Sequence, residues 1–228
     1  MKPFDVVALG ELLIDFTENG ASAQGNTLFE ACPGGAPCNM LAMLRKLGKE
    51  CAFIGKVGND MFGRLLRQVI LDAGIQADTL ILDDKIPTTL AFVKTLPDGD
   101  REFSFYRKPG ADMMLTEAEL PLDLIQNAKI FHFGTLSMTH PGIRAATIRA
   151  VEYARENGAL ISFDPNLRKE LRNDAQMRQR MMQMLSMADV IEPTLDEARI
   201  ITGCTEISDV LRALHAAGPR LVVLTRDK

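Results

Sequence analysis

The sequence predicts an α/β domain, a parallel β-sheet flanked by helices with a small β appendage. Three observations carry this. Apolar runs of strand length alternate with amphipathic helical stretches, each closed by a glycine, which is the pattern of β-α-β units wound around a parallel sheet. The chain has 228 residues and is 46% hydrophobic, enough for one sizeable core but not for a second large domain. One stretch, residues 78–107, breaks the rhythm by alternating in twos.

The elements follow in order. Residues 4–16 hold a buried strand, and a helix starts near Ala36 with Pro37 in its first turn and Gly48 past its end. Residues 51–57 form the next strand. Leu65, Leu66, Val69 and Ile70 recur at helical spacing within 61–73, and Gly74 ends that helix. The appendage over 78–107 turns at Pro97-Asp98-Gly99-Asp100 like a hairpin and should lie outside the main sheet. The α/β alternation then resumes with strand 129–133, helix 141–157 stopped by Gly158, and strand 159–163. Helices at about 174–187, 196–202 and 207–217 lead to a strand over 221–225. A strand this apolar belongs inside a sheet under a covering helix, so the C-terminal part of the domain is expected to be absent from these residues.

A net charge of -4 gives no broad basic surface to neutralise a nucleic-acid backbone or anionic lipid. Small-molecule partners are expected instead, with no nucleic acid and no membrane. Cys32, Cys38, Cys51 and Cys204 show no CxxC pair and no disulfide-rich density, the usage of reduced thiols. No signal peptide is visible at Lys2 to Leu9, and no apolar stretch approaches the ~20 residues of a membrane span. A cytoplasmic location is expected.

In Pro33-Gly34-Gly35-Ala36-Pro37-Cys38-Asn39, paired glycines before a helix N-terminus let bare backbone N–H groups approach a polar ligand, and Asn39 points its amide the same way. A tight turn with a helix cap explains the same residues. Asp15 ends an apolar run, where an uncompensated buried carboxylate is expensive, so it either accepts hydrogen bonds or faces water. With period two, Phe103, Phe105 and Arg107 share one face, an apolar wall beside a cation. The alternative is a solvated edge strand guarded by its arginine.

Asp164-Pro165-Asn166-Leu167-Arg168 follows a buried strand, at the carboxyl edge where open α/β sheets gather ligands. The guanidinium fork of Arg168 suits a phosphoryl group, whereas Asp164 and Pro165 also fit a capped turn. Thr194 and Glu197 have the spacing of a helix capping box. His132, His140 and His215 have no metal-ligand spacing, and the methionines of 177–187 read as core filler on a helix face.

Gly34 to Asn39, Gly48, Gly55, Gly58, Asp60 and Gly63 fall at the spacing of the N-terminal signature of the PfkB-type, ribokinase-like carbohydrate kinases. The chain resembles that family from its first strand to its last residue. The run from Arg101 to Asp112 and the Asp164 to Arg168 segment resemble fructokinases in particular. The resemblance implies a Rossmann-like sheet with a β lid over 78–107, and phosphorylation of a sugar hydroxyl with ATP and Mg2+. It implies that Asp15, Gly34, Gly35, Asn39, Phe105 and Arg107 bind the sugar. Asn166, Arg168, Thr194 and Thr225 would meet the nucleotide, with Arg168 stabilising phosphate and Glu197 organising Mg2+ through water. Thr194 replaces the family's usual asparagine, and Asp227 stands where the family has glycine.

The family's catalytic base lies in a Gly-Ala-Gly-Asp segment that does not occur in residues 1–228. The chain as given is therefore expected to be inactive, either as part of an active kinase or as a shortened sugar-binding protein. Fructose is the expected substrate, with 2-keto-3-deoxygluconate as the alternative. The exposed edges of the lid also invite a homodimer.

Overall fold

The computed structural model describes residues 2–96, 101–167 and 175–226. The chain runs β1 (Phe4–Leu9), β2 (Leu13–Ala21), β3 (Thr27–Gly34), α1 (Ala36–Lys46), β4 (Cys51–Ile54), β5 (Lys56–Gly58), α2 (Met61–Asp72), β6 (Ile81–Asp83), β7 (Leu90–Thr95) and β8 (Arg101–Tyr106). It continues through α3 (Leu122–Gln126), β9 (Ala128–Gly134), α4 (Pro141–Glu156), β10 (Leu160–Asp164), α5 (Ala175–Met187), β11 (Val190–Ile191), α6 (Leu195–Thr202), α7 (Ile207–Ala217) and β12 (Leu221–Val222).

The central sheet has the order β12-β11-β10-β9-β1-β4, and every pairing in it is parallel. Parallel strands need crossover connections, and these put helices on the faces. One face carries Val7, Leu9, Phe131, Phe133, Ile161, Phe163 and Ile191 against α3 to α7 in the larger core cluster. Met177, Met181 and Met184 of α5 are buried there, as core filler should be. The opposite face buries Val6, Ala8, Cys51 and Phe53 under α1 and α2. Farther along that face cover runs out, leaving Leu160 46%, Leu221 53% and Val223 42% exposed.

A second, four-stranded sheet has the order β3-β2-β7-β8. The β7–β8 hairpin is where the alternating pattern places it, but its turn at 97–100 lies outside the described residues. Four expectations are corrected, among them the strand over 51–57, which splits into β4 in the central sheet and β5 outside it. The expected strand over 4–16 is two strands, because Gly10-Glu11-Leu12 turns the chain out of the central sheet and β2 enters the second one. Both pieces are apolar and buried at the crossing, so no change in polarity marks the corner. The appendage is also larger than 78–107, since β2 and β3 supply half of its strands and β6 pairs with β5 instead. Residues 18–21 and 27–34 become strand by pairing β2 with β3, and 22–26 turn between them. Likewise the strand expected over 221–225 pairs as a strand only at Leu221–Val222, with an isolated bridge at Thr225.

Candidate active site

Strand pairing sets one row of the second sheet. Cys32 lies opposite Asp15, Asp15 opposite Ala91, and Ala91 opposite Phe105, so all four share a face. Phe103 lies on the same face and its ring stacks on Phe105 with centroids 6.0 Å apart, forming the expected apolar wall. Gly34 ends β3 beside this row, and a Cβ there would overlap the Asp15 Oδ2 atom. Gly35 has φ 120° and precedes the first turn of α1, where a Cβ would overlap the Glu11 carbonyl. Asn39 is exposed in that first turn, its backbone N–H donating to the Gly35 carbonyl at 3.0 Å. Asp15, Phe105, Gly34, Gly35 and Asn39 are thus gathered around the lip where the second sheet meets α1.

The other face of this sheet holds an aromatic cluster that sequence reading missed. Phe16 stacks on Phe92 at 5.0 Å, Phe29 and Tyr106 meet Phe92 edge-on, and Phe62 of α2 meets Phe16. These positions alternate with the Asp15 row, so the period-two pattern carried the signal once β2 and β3 were recognised as strands.

Arg107 occupies the exit from β8. Its Nε donates to Asp112 Oδ2 at 2.8 Å, Nη1 to Thr139 Oγ1 at 3.0 Å and Nη2 to the Leu136 carbonyl at 3.1 Å. With only 9% of its side chain exposed, Arg107 is not a solvated edge guard. Nearby, Glu11 is buried at the β1–β2 corner and its Oε1 accepts the Ala36 N–H at 3.0 Å. Burial raises the Glu11 carboxyl above its usual range.

The second half of the site lines the carboxyl edge of the central sheet. Asp164 ends β10, its Oδ1 accepting the Asn166 N–H at 3.0 Å, and Asn166 takes φ 33° in this tight turn. Glu197 is buried at the start of α6. Its Oε2 accepts the Thr194 N–H at 2.9 Å and the Thr194 hydroxyl at 3.0 Å, closing a capping box. Its Oε1 accepts the Leu167 N–H at 2.5 Å, so the same carboxylate ties the Asp164 turn to α6. Thr225 is bridged to Thr194, with the Leu195 N–H donating to its carbonyl at 2.8 Å. The structure therefore brings Asn166, Thr194, Glu197 and Thr225 to one rim, while Arg168 and Asp227 lie outside the described residues.

Burial, then the charges of Glu197, Glu192 and Glu11, push the Asp164 carboxyl up to about 7. Negative charge thus accumulates at this rim. That donor set fits a divalent cation held mainly through water, which needs few protein carboxylates, and no tighter cluster of three ligands occurs among the described residues.

A family model described as pfkB family carbohydrate kinase matches residues 4–228. The chain belongs to the pfkB family of carbohydrate kinases. Fructokinase-2 of Solanum habrochaites is 44% identical over 207 residues, covering 90% of this chain and 63% of its own length. The chain thus spans less than two thirds of that relative. The structure of fructokinase with bound ATP from Xylella fastidiosa superposes with a TM-score of 0.87 at 30% identity, over 98% of this chain and 72% of that one. A putative ribokinase II from E. coli, in complex with ATP and Mg2+, gives a TM-score of 0.88 at 25% identity, again over 98% of this chain and 72% of that one. The ribokinase-like α/β architecture and the pfkB assignment expected from the glycine spacing both hold.

The histidines serve structure. His132 is buried in the sheet against Ser162 at 3.0 Å, and burial lowers it to about 4. His140 caps α4, and His215 meets the Pro219 carbonyl. Among the described residues, no helix is long and apolar enough to cross a membrane.

Proposed function

We propose that the protein acts as an ATP-dependent fructokinase. The observation that carries this is the Asp15 row: a carboxylate held over Gly34, beside the N-terminus of α1, on the same sheet face as Phe105 and Phe103. Paired carboxylate oxygens suit two adjacent sugar hydroxyls, and an apolar ring wall suits the sugar's carbon face. Gly34, Gly35 and Asn39 add donors from the turn and the helix start, and Arg107, at the exit from β8, joins them as a further sugar-binding residue. The likeness to fructokinases supports fructose as the acceptor.

Phosphoryl transfer needs alignment, charge neutralisation and removal of one proton. The second sheet serves as the lid that aligns the sugar, while Asn166, Thr194 and Thr225 meet the ATP phosphates, and Arg168, outside the described residues, is assigned to phosphate stabilisation by the family resemblance. Glu197 would hold magnesium through water, and the ion when bound would supply charge neutralisation at the phosphoryl oxygens. The sugar hydroxyl loses its proton to a base as its oxygen takes the γ-phosphoryl group and ADP departs. Residues 1–228 contain no Gly-Ala-Gly-Asp run to provide that base or its anion hole, so expressed by themselves they should give no useful turnover.

A coupled ATP assay with fructose, ribose, adenosine and 2-keto-3-deoxygluconate tests both statements. The protein at the full length of its gene should prefer fructose, and residues 1–228 alone should be silent. A preference for the keto acid removes the fructokinase reading, and Mg2+-dependent turnover by residues 1–228 transfers the base to another residue, Asp164 first. The lid is also proposed as a homodimer contact, because β3 and β8 are its edges and Phe29 and Tyr106 are exposed on its outer face. A monomer in sedimentation at micromolar concentration removes that contact.

A further inference from the structure

The chain passes between the central body and the second sheet at four crossings, 10–12, 34–36, 87–89 and 107–112, and buried polar groups tie them together in pairs. Glu11 of the first crossing accepts the Ala36 N–H of the second. Asp112, whose side chain is 1% exposed, joins the third and fourth: Oδ1 accepts the Thr89 hydroxyl at 2.5 Å, and Oδ2 accepts Arg107 Nε at 2.8 Å and lies 2.6 Å from Nη2. Thr89 leads directly into β7 and Arg107 directly out of β8. Arg107 also reaches Thr139 and Leu136 beyond the end of β9, fixing the assembly to the central sheet.

We propose that Asp112 is a positioning residue, a clamp that holds both ends of the β7–β8 hairpin to the body and so sets Phe103 and Phe105 at a fixed distance from Asp15. This rests on the reading of that row as the sugar site. Three features argue for a clamp over incidental packing. A buried carboxylate is expensive unless paired and hydrogen-bonded, and here its oxygens are engaged by the residue entering β7 and the residue leaving β8, side by side at the open end of one hairpin. The space needed for the Thr89 contact exists because residue 110 is glycine, since a Cβ there would overlap Thr89 Oγ1 and crowd Asp112 Oδ1 at 2.8 Å. The exit of β8 has no second strand beside it among the described residues, since β8 is an edge strand paired with β7, whereas β7 is also held by β2.

The test uses the protein at the full length of its gene, with Asp112→Asn, Thr89→Val and Thr89→Ser. Asparagine keeps size and loses charge, valine keeps shape and loses the hydroxyl, and serine keeps the hydroxyl. Hydrogen exchange without sugar should quicken about tenfold in peptides covering 90–95 and 101–106 for Asp112→Asn and Thr89→Val, with β9 and α4 unchanged and Thr89→Ser like the parent. In the coupled assay the same two variants should raise the KM for fructose about tenfold with kcat within roughly threefold, as lost sugar alignment requires. Unchanged hairpin exchange in both variants overturns the clamp. Exchange that rises equally throughout the chain also overturns it, since the role is then general stability. A loosened hairpin with unchanged KM overturns the positioning of the wall. A loosened hairpin in a protein whose parent phosphorylates no sugar supports the clamp and removes the sugar-kinase reading instead.

Discussion

Asp15 and Glu197 are the leading carboxylates of the two halves of the cleft, and they are held in different ways. Asp15 stands in a row fixed by strand pairing on both sides, Cys32 to one side and Ala91 to the other, with an aromatic cluster behind the sheet. Glu197 sits at a helix start and itself does the holding, drawing Leu167, Thr194 and, through Thr194, the bridged Thr225 to one rim. Around Asp15 the backbone positions the carboxylate; around Glu197 the carboxylate positions the backbone. A change at Asp15, whose place is set by strand pairing, should therefore fall chiefly on the ligand, whereas a change at Glu197 should also loosen the rim.

The largest effect tests the first clause. Asp15→Ala should lower kcat/KM for the sugar roughly 10²–10⁴-fold, from two hydrogen bonds to a charged group at about 1.5–3 kcal/mol each. Its denaturation midpoint should stay close to the parent's; a protein that unfolds instead breaks the comparison.

Asp164 gives the next effect. Its folded pKa of about 7 lies above the unfolded value of 3.8, so over that range the native state holds the extra proton. Stability is then full below about pH 4 and falls as pH rises toward 7, by up to about 4 kcal/mol. Urea denaturation at successive pH values should show this slope in the parent and lose it in Asp164→Asn. Added Mg2+ should shallow it, and a slope that survives the substitution assigns the titration elsewhere.

Glu197→Ala leaves the Leu167 and Thr194 N–H groups without their partner, a loss of about 1–3 kcal/mol for each group. The KM for MgATP should rise while the KM for sugar holds. Equal increases in both would mean that the two halves are not separable.

The smallest effect concerns the thinly covered sheet face. In the 228-residue chain, Leu160→Gln or Leu221→Gln should shift stability by no more than about 0.5 kcal/mol, because both side chains are already half exposed. Phe163→Ala, fully packed on the other face, should cost about 3–5 kcal/mol under the same denaturation.

Parallel α/β architecture, the helix at Ala36 and the glycine turn before it were legible because they rest on local chemistry: apolar runs, helix stops and backbone freedom at Gly35. The candidate residues of both halves were legible for the same reason, as polar groups at strand ends and helix starts. Thr194 and Glu197 carried two readings, and the capping box is what the structure forms, with Leu167 added as a partner some thirty residues away in sequence. Arg107 was legible as a face-mate of Phe105, but not its engagement with Asp112, Thr139 and Leu136.

The sequence by itself determined which segments become strand or helix wherever burial is two-sided or periodic, since hydrophobic pattern is a local property. Tertiary structure alone decided where the run at 4–16 breaks, that residues 17–21 and 27–34 become strands, and which buried carboxylate answers which crossing. Each depends on a partner outside the segment itself: β2 is a strand because β3 and β7 lie beside it, and Asp112 is satisfied because strand pairing brings Thr89 beside Arg107 at the open end of a hairpin. The cost of burying an unpaired polar group makes such pairings compulsory, but nothing local names the partner.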